Sequence, residues 1–216
     1  SDDDSGELFL RIRRGPTSTW QVLLRLGKRP LSVREWRKHD MRGALNACIA
    51  AAIIELSGPV EQQRVLNICC GSGTLLVECA LSHRPSQLVG IDIDPDAIAI
   101  AKENALCAGC ADRITFDCMD ATQIDSALYS RFNVILADLP WGEAIGKRSN
   151  NLNLYRQILR EMILASTSAA KIAVLTQDKK SFLLALEDYR DQLALKDHRK
   201  ISQRGFWPTL FLLAKD

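Results

Sequence analysis

Asn67-Ile68-Cys69-Cys70-Gly71-Ser72-Gly73-Thr74 is the stretch whose reading decides the fold. The apolar run at 65–69 reads as a buried strand, and the residues at 74–81 carry helical spacing. Gly71 and Gly73 allow a tight turn between the two and a close approach of ligand to backbone. The helix start that follows offers unbonded N–H groups to an anion. A dinucleotide fingerprint would place a third glycine where Leu76 stands, so a pyrophosphate is not the expected ligand.

Outward from this turn the same alternation continues. Residues 88–93, 114–118, 133–137 and 172–176 read as strands, and 95–107, 152–165 and 180–189 as helices, which implies a parallel sheet covered on both faces. The runs 193–201 and 206–213 are separated only by 202–205, too few residues for a helical crossover, and are expected to pair as an antiparallel hairpin at one edge. Upstream, 45–56 reads as a helix stopped by Ser57-Gly58-Pro59, and 7–13 with 20–26 as a hairpin turned at Gly15-Pro16. The expected organisation is a basic hairpin and linker over 1–42 and an α/β domain over 43–216.

In such a sheet ligands bind beyond the carboxyl ends of the strands, so the residues just past each strand carry the chemistry. The second strand ends Asp92-Ile93-Asp94-Pro95, about 20 residues after the glycine turn, where Asp92 can accept from both ribose hydroxyls of a nucleoside cofactor. Asp94 is better read as the cap of the helix that Pro95 opens. The third ends Asp120-Ala121, where an acid can accept from an adenine amine with Ile93 packed on the ring; a helix cap serves Asp120 equally well. The fourth ends Asp138-Leu139-Pro140-Trp141, suited to a planar amine: Asp138 and the Leu139 carbonyl accept its N–H groups, Pro140 holds the turn and Trp141 stacks.

This last segment resembles the [D/N]-P-P-[Y/F/W] signature of amino-directed methyltransferases, and with the three earlier turns it looks like the S-adenosylmethionine-dependent Rossmann-like family. Asn67 to Thr74 is similar to the D-P-x-C-G-S-G-T turn of the THUMP-associated RNA methyltransferases. Asp138 to Gly142, Lys147-Arg148, Asn153-Leu154-Tyr155 and Leu175 to Lys180 look like the branch that makes N2-methylguanosine in tRNA. The resemblance implies a seven-stranded, mostly parallel sheet, S-adenosylmethionine as methyl donor, and structured RNA as substrate. It implies cofactor contacts from Asn67, Cys69, Gly71, Ser72, Gly73, Asp92, Ile93, Asp120, Ala121 and Asp138, and catalytic roles for Asp138, Leu139, Pro140 and Trp141. Asn67 stands where the family has an acid and Leu139 where it has a first proline. Alternatives are an amino-methyltransferase acting on adenine in RNA or DNA or on a protein glutamine, and an inactive RNA-binding module of the same fold.

Composition fits a globular chain: 216 residues, 47% hydrophobic and 25% charged. Its longest apolar run, 44–56, falls short of the roughly 18 residues of a membrane span, so no membrane partner is expected. Residues 11–42 carry ten Lys/Arg against two acids, with Trp20 and Trp36 interleaved, the footprint of a nucleic-acid partner or of a hairpin with guarded edges. Arg34, Arg37, Lys38, Arg42, Lys147 and Arg148 are the expected phosphate contacts. Seven cysteines and no secretory leader indicate a reducing, cytoplasmic setting; Cys107 and Cys110 lack a second pair, so no metal is expected. The chain opens at Ser1, and roughly 60 residues before the glycine turn are too few for a THUMP domain. It is expected to be the catalytic domain of a longer protein, or a shortened relative.

Overall fold

A computed structural model describes residues 9–15, 19–25, 29–39, 41, 43–58, 60–140, 151–203 and 205–215. The chain divides into two compact units, one ending at Arg34 and the other beginning at Glu35. The first holds strands β1 (Phe9–Arg14) and β2 (Trp20–Arg25), paired antiparallel with Leu10 opposite Leu24, Ile12 opposite Val22 and Arg13 opposite Gln21. Because side chains alternate along a strand, Leu10, Ile12, Val22 and Leu24 share one face and Arg11, Arg13 and Gln21 the other.

The second unit starts with α1 (Ala47–Leu56), which begins where the Asn46 side chain accepts from the N–H groups of Cys48 and Ile49. Then follow β3 (Arg64–Ile68), α2 (Thr74–Ser82), β4 (Gln87–Asp92), α3 (Pro95–Cys107), β5 (Ile114–Cys118) and β6 (Phe132–Asp138). The chain closes with α4 (Asn151–Ala165), β7 (Ser166–Thr176), α5 (Lys179–Glu187), β8 (Leu193–Lys200) and β9 (Thr209–Lys215). The strand order is β5-β4-β3-β6-β7-β9-β8, parallel through β7, with β9 antiparallel to both its neighbours. The expected seven-stranded sheet with a terminal antiparallel hairpin is what the chain forms.

Successive residues of the central strands enter opposite cores, which is why those strands read as unbroken apolar runs. Val65, Leu88 and Val134 pack with Ile53, Leu76 and Ala101 of α1 to α3, whereas Leu66, Ile91 and Ile135 pack with Met162 and Phe182 of α4 and α5. Leu76 occupies the position of a dinucleotide-type glycine, and the small residue it requires lies on the facing strand. A Cβ on Gly90 would meet Leu76 Cδ1 and Phe116 Cδ1 at 2.8 Å.

Two boundaries depart from expectation by three residues or more. β7 starts six residues early, at Ser166 rather than 172, because β6 pairs with it from Phe132 onward across a register shift. That pairing is long-range and leaves no mark in the polar stretch 166–171. β9 starts at Thr209 rather than 206, since Pro208 has no N–H to give a ladder. The C-x-x-C pair is split between an exposed Cys107 and a buried Cys110, and all seven cysteines are free thiols. Among the described residues no helix is long and apolar enough to cross a membrane.

Candidate active site

Parallel register brings four strand ends to one rim: Ile68 lies beside Ile91 and Ala137, and Asp92 beside Cys118. The half-buried Cys69, first residue past β3, is where they meet. Burial pushes its thiol well above the ordinary range, and the carboxylates of Asp92, Asp138 and Asp120 push it further in the same direction. The neighbouring Cys70 is raised by burial, by Asp92 and by Cys69. Burial and the surrounding carboxylates thus hold both sulfurs toward the thiol form.

The glycine turn is built from three left-handed residues, Cys69 (φ 54°), Gly71 (φ 52°) and Gly73 (φ 76°). Asp92 holds it from outside: Oδ2 accepts from Gly71 N–H at 2.8 Å, and Oδ1 accepts from Asp94 N–H at 3.1 Å. Asp94 caps α3 through Asp96 N–H, as read from Asp94-Pro95. Gly73 caps α2 without a side-chain bond, leaving the helix start to be satisfied from the loop side.

Several sequence-predicted residues brace the turn instead of lining it. Ser72 is buried, its hydroxyl 3.2 Å from Thr74 Oγ1 and its carbonyl accepting from Asn104 Nδ2 at 3.1 Å. Arg37, grouped with the phosphate contacts on charge, turns inward: Nη2 donates to Leu45 O at 2.9 Å and Thr74 Oγ1 at 2.7 Å. Asn67 is fully buried; Nδ2 donates to Leu136 O at 3.1 Å, and its buried Oδ1 has no hydrogen-bond partner among the described residues. Asn104, which ties α3 to the turn, escaped sequence reading because it looks like any polar helix residue.

Toward the other strand ends, Ile93 is 61% exposed beside Asp92, an open apolar surface where a ring can pack. Asp120 spends Oδ1 on the N–H and hydroxyl of Thr122, both at 2.8 Å, and Ala121 behind it is buried. In place of the helix cap read as the alternative, Asp120 Oδ1 closes a turn onto Thr122, and Oδ2 has no partner among the described residues. Asp138 ends β6 with Oδ1 buried. Trp141, Arg42, Lys147 and Arg148 lie outside the described residues.

The turn after Asp138 is fixed by a relay absent from the sequence reading. Leu139 N–H donates to Leu175 O at 2.9 Å, and the Leu139 side chain plugs the core. Asp178 N–H donates to Thr176 Oγ1 at 3.2 Å, the Thr176 hydroxyl lies 2.9 Å from Tyr155 Oη, and Tyr155 donates to Pro140 O at 2.8 Å. Burial raises the Tyr155 phenol to about 12, against a lowering by the Thr176 hydrogen bond, so it stays a donor at working pH. A raised acid of this kind contributes stability below its ordinary value of 10.0, and that contribution is lost as pH climbs toward about 12. Tyr155→Phe keeps the ring's edge contact with Phe182 but takes the donor from the Pro140 carbonyl and the acceptor from the Thr176 O–H, whose oxygen still accepts from Asp178 N–H. It is expected to cost about 1–3 kcal/mol in denaturant unfolding. A variant as stable as wild type would show that the relay does not hold the turn.

Against known proteins, the family model described as "RMKL-like, methyltransferase domain" (UPF0020) matches residues 34–202. A tRNA (guanine(6)-N2)-methyltransferase of Thermus thermophilus is 31% identical over 193 residues, covering 89% of this chain and 56% of the relative. One from Methanocaldococcus jannaschii is 26% identical over 223 residues, 85% of this chain and 57% of its own length. The crystal structure of TrmN from Thermus thermophilus superposes with a TM-score of 0.82 at 28% identity, over 97% of this chain and 60% of that one. The chain thus spans little more than half the length of these two curated relatives. Resting on a match from Arg34 through the first turn of the C-terminal hairpin, the family is plain: this chain belongs to UPF0020, the RMKL-like methyltransferase domains.

Proposed function

We propose that this domain transfers a methyl group from S-adenosylmethionine to the exocyclic N2 amine of guanosine in tRNA. The observation that carries the reading is the grouping of Asp92, Asp120 and Asp138 around Cys69 at one rim. The rim fits the cofactor. Gly71 is only partly buried, Asn67 has a buried oxygen with no hydrogen-bond partner among the described residues, and Asp92 keeps one acceptor site on each oxygen after bonding Gly71 and Asp94. Asp92 would hold the ribose, Ile93 the adenine ring and Asp120 Oδ2 its amine, with Cys69, Gly71 and Gly73 along the remainder. When bound, the cofactor supplies an electrophilic methyl on a sulfonium.

The chain's own residues then have to present the amine. A guanine amine's lone pair is delocalised into the ring, so its N–H groups must be held while nitrogen approaches to about 3–3.5 Å. Asp138 and the Leu139 carbonyl are acceptors side by side, and a carboxylate accepts from two donors on one base edge. Guanine offers that pair, a ring N–H beside an amine. Trp141 would stack on the extruded base, offsetting an unstacking cost of a few kcal/mol by about 1–3 kcal/mol. Arg34, Lys38, Arg42, Lys147 and Arg148 would hold phosphates, giving affinity that falls steeply with salt. Arg37 is already spent on the glycine turn.

The test is nucleoside analysis after incubation with an unmodified tRNA transcript and methyl-labelled cofactor. Label in N2-methylguanosine is expected. Label in N6-methyladenosine would move the assignment to an adenine enzyme. No label, and no heat with millimolar cofactor in calorimetry, would leave an RNA-binding module of the same fold.

A further inference from the structure

We infer that the tip of the β8–β9 hairpin is a second RNA contact, one that takes an unpaired nucleotide flanking the target; the inference rests on the function proposed above. Register places the tip. β7 runs parallel to β6 and brings Leu175 beside Asp138; one residue on, Thr176 pairs with Thr209, which pairs with Lys200. The loop 201–208 therefore emerges at the same carboxyl rim as the Asp138 turn. The strand carrying Thr209 lies two strands from β6, a lateral distance of about 10 Å at the usual strand spacing.

The chemistry of the tip matches a flexible polyanion that carries flat rings. Residues 198–208 read His-Arg-Lys-Ile-Ser-Gln-Arg-Gly-Phe-Trp-Pro, three Lys/Arg and a histidine, of which Arg199 is paired with the adjoining Asp197 at 2.8 Å. Trp207 is 55% exposed, a large aromatic face left in water, and Lys200 Nζ stands 5.0 Å from its ring centroid. A ring that can stack on a base and a cation that can meet the adjoining phosphate are thus held together, the pairing used by single-strand binders. The tip is also braced before any ligand arrives. Ile201 N–H donates to Pro208 O at 2.9 Å, and Gln203 and Phe206 exchange N–H bonds at 3.0 and 2.8 Å. Little ordering would be lost on binding, which favours affinity. Among the described residues the exposed ring closes no core: the sheet below it is already sealed by Leu210 and Phe211.

The experiment uses the full chain, an unmodified tRNA transcript, and the variants Trp207→Ala, Trp207→Phe and Lys200→Ala. Trp207→Ala is expected to raise the KM for RNA about tenfold, with the effect on KM rather than kcat and the calorimetric affinity for S-adenosylmethionine within about twofold of wild type. Trp207→Phe, which keeps a stacking face, should recover most of the loss. Lys200→Ala should reduce the slope of log affinity against log salt by about one. If wild type methylates the transcript and Trp207→Ala leaves its KM within twofold, the tip inference is overturned and the proposed function stands. If wild type neither binds nor methylates RNA, both fall. Equal losses in Trp207→Ala and Trp207→Phe would overturn stacking as the contact.

Discussion

Asp138→Ala is expected to lower the turnover of methyl transfer at least tenfold while S-adenosylmethionine binds with nearly wild-type affinity. A hydrogen bond from the amine to an ionised acceptor is worth about 1.5–3 kcal/mol, or roughly tenfold to over a hundredfold in rate if it strengthens as positive charge develops on nitrogen. The backbone should survive the change. The turn is anchored by Leu139 N–H on Leu175, by the buried Leu139 side chain and by Tyr155 on the Pro140 carbonyl, none of which uses the carboxylate. Asp138→Asn separates charge from shape, since the amide fills the same volume but offers one acceptor and presents an NH2 to the second donor. Single-turnover kinetics at saturating cofactor should therefore rank wild type above Asp138→Asn and that above Asp138→Ala. Retention of more than a third of wild-type turnover by Asp138→Ala would remove the side chain from the chemistry.

That residue was readable because everything that places it is local. An apolar strand, an acid and a rigid turn follow each other in sequence, as do the glycine turn and the Asp94-Pro95 cap, and α3 and β5 begin and end where their residues say. What was not readable depends on partners far away in the chain. Arg37 looks like a phosphate ligand until Thr74, 37 residues on, gives it an inward acceptor. Tyr155 looks like core until Pro140 and Thr176 meet its hydroxyl from two other elements. Leu76 looks wrong for a helix packed on a strand until Gly90 is found beneath it. Periodicity and motif spacing register the first kind of information and carry none of the second, because a contact between distant positions leaves no trace in either strand of sequence alone. The rim tip belongs to the second kind: its nearness to Asp138 comes only from strand order.

The other large effect is at Asp92. Asp92→Ala is expected to weaken S-adenosylmethionine about a hundredfold and also to lower the melting temperature of the ligand-free protein by a few degrees. The two consequences have separate causes. Asp92 ties the glycine turn to the end of β4 through Gly71 N–H and starts the next turn through Asp94 N–H, so its loss removes the side-chain tie at the left-handed Gly71. A buried or half-buried tether of this kind is worth about 1–3 kcal/mol, and each kcal/mol moves the midpoint of a domain this size by roughly 2–4 °C. The cofactor term adds two ribose hydroxyls donating to a charged group, together about 3 kcal/mol or more, which is the hundredfold. Asp92→Asn should not rescue either. Both carboxylate oxygens face backbone N–H donors, so whichever way the amide lies, its NH2 opposes one of them. Calorimetry with the cofactor and a melt without it read the two terms independently. A melting temperature that falls while affinity stays within threefold would make Asp92 a brace like Arg37 and move the ribose contact elsewhere on the rim. Affinity that falls with an unchanged melt would make the tether incidental and the hydroxyl contacts the whole of its role.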